Sequence, residues 1–125
     1  MNNILLVFLG GGTGAVARYA MAVVIGKHTT SSFPYHTLSI NLLGAFLIGV
    51  IMELMALRAS GADPMRLLLV TGFLGGFTTF SAFSLESTLM LQKGDYASLL
   101  TYIGASVMGT IIAVMIGSGI VKSIS

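Results

Sequence analysis

The sequence predicts an all-α integral membrane protein of four transmembrane helices, and three observations lead there. First, 55% of the 125 residues are hydrophobic and 8% are charged, with a mean hydropathy of +0.97. A soluble domain devotes about a quarter of its residues to charge, so six basic and four acidic side chains cannot solvate a folded surface. Second, four stretches (4–26, 38–57, 67–91 and 97–121) approach or exceed the ~20 mostly apolar residues that a spanning helix needs. Third, the connectors are short and carry helix breakers: Ser31, Ser32 and Pro34; Gly61, Asp63 and Pro64; Gly94 and Asp95. Barrel strands would show ~10-residue segments of alternating polarity, which these runs lack. Residues 1–125 therefore read as a single transmembrane domain, with no room for a soluble one and with both termini on one side of the bilayer.

Composition also excludes function classes. The net charge of +2 comes from scattered side chains, so no basic patch offers phosphate contacts to a nucleic acid. Cysteine is absent, which removes disulfides, thiolate metal sites and thiol catalysis together. Ile4 to Leu9 followed by Gly12-x-Gly14-x-x-Ala17 imitates a strand entering a dinucleotide-binding turn. That turn needs an acidic residue roughly 20 positions later, and the next acid is Glu53, inside another span. His28 and His36 flank a loop without further ligands nearby and read as loop histidines. No nucleotide site or catalytic pair is present, and no enzymatic activity is expected.

Taken in order, each segment carries polar groups that a bilayer makes expensive. The first holds Arg18 mid-segment, either in an ion pair, snorkelling, or lining a wet vestibule. Ala15-Val16-Ala17 looks like a signal-peptide cleavage site, but no basic side chain precedes the apolar run, and that run continues past it, so a retained helix is expected. The second segment holds Asn41, whose amide can donate two hydrogen bonds or tie helices together, and Glu53, expected as an exposed interfacial carboxylate. The third reads Gly75-Gly76-Phe77-Thr78-Thr79-Phe80-Ser81-Ala82-Phe83-Ser84. Two glycines and two threonines weaken a helix there, and a break frees backbone groups that protein or a polar cavity must satisfy; freed carbonyls can ligate a hard cation. Phe73, Phe77, Phe80 and Phe83 form a rough helical stripe, either for packing or to present positive ring edges to an anion. Deeper in the same segment, Glu86 requires a partner or a proton. In the fourth, Tyr102, Ser106 and Thr110 share one face, as a polar track or as hydroxyls bonded back to their own helix.

Two features bear on assembly. Arg58, Arg66 and Lys122 on one side nearly balance Lys27 and Lys93 on the other. Near-balance fits chains inserted both ways up, hence an antiparallel homodimer, and equally a fixed orientation set by a small bias. Sixteen glycines, among them Gly10 and Gly14 one turn apart, provide for close helix contact within a chain or between chains. Four short helices hold too few side chains to enclose a substrate path alone, which favours the dimer.

The whole constellation resembles the Fluc (CrcB-type) fluoride channels. The resemblance rests on the length, four spans, Gly10-Gly11-Gly12-Thr13-Gly14-Ala15 with Arg18-Tyr19, Asn41-Leu42-Leu43-Gly44, and above all Gly75 to Ser84. It implies a multi-pass protein of a bacterial-type inner (plasma) membrane, working as an antiparallel, dual-topology homodimer with two pores. It implies a structural sodium ion on the dimer axis, held by backbone carbonyls of Gly75 and Thr78. Phe80 and Phe83 would face the ion path and Asn41 would donate to fluoride. The polar track would comprise Ser81, Ser106 and Thr110 with Glu86 and Tyr102 beside it, Thr37 near a pore entrance and Arg18 in the vestibule. Ala82 departs from the pattern, since similar sequences usually read Thr there; if that hydroxyl belongs to the path, conduction is expected to be lower. The function implied is passive, selective export of cytoplasmic fluoride and thereby fluoride resistance, with the ion itself, the lipid bilayer and a second copy of the chain as partners. The alternatives are a small proton-coupled multidrug transporter, opposed by the lack of a carboxylate in the first helix, and a non-conducting subunit of a membrane complex.

Overall fold

A computed structural model of the chain describes residues 2–57 and 62–125; the expectations placed on Arg58 and Gly61 lie outside them. The described residues form helices and no strand, and four helical spans are long and apolar enough to cross a membrane. Helix α1 is Asn3–Lys27, opened by the Asn2 side chain accepting from the Ile4 amide at 2.7 Å. Helix α2 is Tyr35–Ala56 and starts directly after Pro34, whose ring cannot donate a backbone hydrogen bond. It begins three residues earlier than its hydropathy suggested, so His36 lies in a helix and not in a loop.

The third span, Pro64–Lys93, is interrupted. Its first part, α3 (62–77), starts as an α-helix over Ala62–Arg66, widens to π-helix over Leu67–Leu74 and closes with an α turn over Gly75–Phe77. Thr78 and Thr79 are then extended (φ −84°, ψ 159° and φ −151°, ψ 118°). Helix α4, Phe80–Lys93, resumes with the Thr79 hydroxyl accepting from the Ala82 amide at 3.1 Å, a side-chain N-cap. The break falls inside the Gly75–Thr79 window, at its threonine end. Gly94 is left-handed (φ 74°) and ends α4, with its amide bonded to Leu91 and that of Asp95 to Met90. Asp95 in turn caps α5, Tyr96–Ile124, through the Ser98 amide.

Lipid is as apolar as leucine, so close backbone packing has to hold these helices together in place of apolar burial. Glycine makes it possible. A Cβ at Gly10 or Gly14 would run into the backbone of α3 at Leu68 and Phe73, and one at Gly76 into the Gly11 carbonyl. In the same way Gly49 of α2 meets the Val114 carbonyl of α5, and Gly117 of α5 meets that of Phe46. The chain is thus two tight pairs, α1 with α3 and α2 with α5, joined by a small core of Ile40, Leu74 and Phe77. A Cβ at Gly104 or Gly119 would meet nothing within 4 Å among the described residues. Glu53 is not a free interfacial carboxylate: it is mostly buried between α2 and α5, accepting from the Ser118 hydroxyl at 2.7 Å with Lys122 at 4.0 Å.

Candidate functional site

The site is built around the break. When a helix stops, its last carbonyls lose their amide partners. Here two of the displaced amides are taken by side chains: that of Thr79 donates to Asn41 Oδ1 at 2.8 Å, and that of Ala82 to the Thr79 hydroxyl. In an unbroken helix those amides would have served the carbonyls of Gly75 and Thr78, four residues back in each case. Asn41 completes a two-point bond to the extended segment, its Nδ2 donating to the Thr79 carbonyl at 3.0 Å. Arg18 crosses from α1 and donates through Nε to the Gly76 carbonyl at 3.1 Å. A cation is well placed there, since carbonyls at a helix C-terminus carry partial negative charge. The side chain is therefore bound to the break.

Because Thr78 and Thr79 are extended, the phenylalanine stripe divides. Phe73 and Phe77 stack at 6.0 Å on the core side, with Phe77 buried. Phe80 and Phe83, at 5.4 Å and a 39° tilt, instead line a groove of about 380 Å³ with Asn41, Thr79, Ser106 and Thr110. Phe80 is 77% exposed, so the groove is open along one side of the chain. Thr110 spends its hydroxyl on the Ser106 carbonyl at 2.6 Å, whereas the buried Ser106 hydroxyl has no partner among the described residues. Asn41 retains one amide hydrogen after bonding Thr79, since the group has two.

The remaining residues singled out from the sequence gather at a second centre. Glu86 accepts from the Tyr102 hydroxyl at 2.7 Å through Oε1 and from the Thr37 hydroxyl at 2.8 Å through Oε2. His36 Nε2 approaches Oε2 at 3.2 Å. The two centres adjoin: the Tyr102 ring packs on Phe83 at 5.1 Å and, edge-on, on Phe33 at 5.6 Å. Ser81 stands apart, exposed, with its hydroxyl 3.3 Å from that of Thr79. Sequence reasoning missed Thr79 and His36. Threonine is a favoured N-cap residue, a weak signal that could have marked Thr79; only the approach of α4 to α2 reveals His36. Among the described residues, no cluster of His, Asp or Glu is arranged to hold a metal ion.

Comparison with known proteins gives this arrangement a context. The chain is 47% identical over 117 residues to the fluoride-specific ion channel FluC of Phocaeicola vulgatus, covering 94% of this chain and 96% of that protein. It is 44% identical over 120 residues to the fluoride-specific ion channel FluC of Chloroflexus aurantiacus (96% and 95%) and 40% identical over 124 residues to that of Chelativorans sp. (99% of each). The profile described as CrcB-like protein, Camphor Resistance (CrcB), matches residues 5–118. With four membrane-spanning helices and a match of this extent, the chain is a multi-pass membrane protein that belongs to the CrcB-like family.

Proposed function

We propose that the chain forms a fluoride-selective passive channel that exports cytoplasmic fluoride across a bacterial-type inner membrane and so gives fluoride resistance. The observation that carries this reading is the groove at the break, which offers donors and no full positive charge. Fluoride is small and strongly hydrated, so a selective path must replace its water at close range and still release it. The unspent amide hydrogen of Asn41 and the positive edges of Phe80 and Phe83 supply that kind of weak, multi-point solvation, with the buried hydroxyl of Ser106 behind them. Ser81, Thr110, Tyr102, Thr37 and Glu86 extend the polar lining in this reading. Outward flow needs no energy source beyond the membrane potential, which favours expulsion of one anion by about 2.3 kcal/mol per 100 mV. The activity is conduction, not catalysis.

The working unit in this reading is an antiparallel homodimer of dual topology. In support, the face carrying Gly75, Phe80, Ser81 and Ser84 is exposed, and bare serines facing lipid beside an open groove are unfavourable. A second copy would close the groove. The carbonyls of Gly75 and Thr78, deprived of amides, are hard oxygen donors suited to a sodium ion; two per chain leave a shell incomplete that a second copy would double. When bound, the ion would supply positive charge that ties the two breaks together.

The test is efflux from liposomes loaded with fluoride or chloride and read with ion-selective electrodes. Fast fluoride release, little chloride release, and loss of release in Phe80→Ile are expected. Chloride release matching fluoride, or none from well-folded protein, would overturn the reading. Exchanging sodium for a bulky organic cation is expected to weaken the dimer in detergent, read by light scattering.

A further inference from the structure

The Glu86 centre poses a problem that the channel reading leaves open: a carboxylate stands where the groove leads. Phe83 lines the groove and lies one turn before Glu86 on α4; Ser106 lines it and lies one turn after Tyr102 on α5. An anion leaving the groove in that direction meets the Thr37 and Tyr102 hydroxyls, both already donated to Glu86. Both carboxyl oxygens are engaged by hydroxyls, and a carboxylate carries a negative charge. Unopposed, that charge would repel fluoride.

We infer that His36 is a further residue of the ion path, an imidazole whose protonation offsets the Glu86 charge and sets how readily an anion passes the mouth. His36 sits in the first turn of α2, with its side chain 39% exposed to the outside and its Nε2 3.2 Å from Glu86 Oε2. It thus touches the carboxylate while part of its ring stays uncovered in the single chain. The groups facing Glu86 are His36 and Thr37 from α2 and Tyr102 from α5. Among the described residues His36 is the one basic group paired with it. On its own helix Lys93 lies two turns on, at the α4 terminus. The other paired carboxylate, Glu53 with Lys122, is at the far end of α2, about 26 Å along the helix axis.

The sign follows from the charges. With His36 neutral, the mouth carries one negative charge and opposes fluoride. With His36 protonated, the pair is neutral and the two hydroxyls can turn from Glu86 to the passing anion. Protonating the imidazole removes that net charge, so conduction rises as pH falls. A unit charge a few ångströms from the ion, in surroundings between protein and water, changes its occupancy about tenfold.

This inference rests on the channel reading, and the experiment separates the two. Fluoride efflux is measured in proteoliposomes at equal internal and external pH from about 6 to 8.5, with protein-free liposomes subtracting HF leakage. The unmodified chain should conduct about tenfold faster at the acid end. His36→Gln should be slow and independent of pH; His36→Lys, cationic throughout, should be fast and independent of pH. A flat profile for the unmodified chain, or the original profile retained in His36→Gln, overturns the role of His36 and leaves the channel reading standing. Absence of fluoride release at every pH overturns both.

Discussion

The Asn41–Thr79 bond makes the sharpest prediction, because it joins the helix break to the proposed ion path. In Asn41→Asp the side chain keeps its shape and still accepts from the Thr79 amide, now held at 2.8 Å. It loses the Nδ2 donor that serves the Thr79 carbonyl at 3.0 Å. Depriving one half-buried acceptor of its partner costs about 1–3 kcal/mol, which the fold should survive. The larger effect is electrostatic. A negative charge ~5 Å from fluoride at an effective dielectric of ~20 opposes it by about 3 kcal/mol, some two orders of magnitude in rate. Asn41→Leu is the comparison: it adds no charge but strands both Thr79 backbone groups, at about 2–6 kcal/mol, and should lower folded yield. The assay pairs thermal unfolding in detergent with fluoride efflux. Well-folded Asn41→Asp that conducts within about threefold of the parent would refute the reasoning, since Asn41 would then be only a brace.

Three further outcomes follow from particular contacts. Gly14→Ala drives a Cβ into the Phe73 backbone and should destabilise the fold by roughly 1–3 kcal/mol; Gly26→Ala, with nothing within 4 Å, should leave the unfolding midpoint unchanged. Arg18→Gln removes a charge-assisted bond to the Gly76 carbonyl, about 1.5–3 kcal/mol, and should lower the midpoint while leaving helix content by circular dichroism intact. Ala82→Thr places a hydroxyl between Ser81 and Phe83 at the start of α4, and should raise fluoride efflux severalfold if that hydroxyl belongs to the path; equal efflux would remove the position from it.

Much of this protein is determined by its sequence alone. Hydropathy and breaker residues fix four membrane-spanning helices because a bilayer imposes length and satisfied backbone on whatever crosses it. The paired glycines and threonines mark the break for the same reason: a weakened helix at membrane depth must be held by something. The shared face of Tyr102, Ser106 and Thr110 is legible too, since helical periodicity is local. What holds the break is not local. Asn41 and Arg18 lie 38 and 58 residues from the backbone groups they bind, and no spacing announces it. The phenylalanine stripe was misleading because its periodicity assumed one continuous helix; extended backbone at Thr78 and Thr79 sends Phe77 into the core and Phe80 into the groove. Glu53 and His36 were misplaced because hydropathy places a residue in depth without saying what stands opposite it. Ser118 and Glu86 stand there only because α2 packs against α5 and α4. The sequence decides what the membrane will accept, one segment at a time; which polar groups meet inside it depends on how the segments pack, and that is set by the tertiary structure.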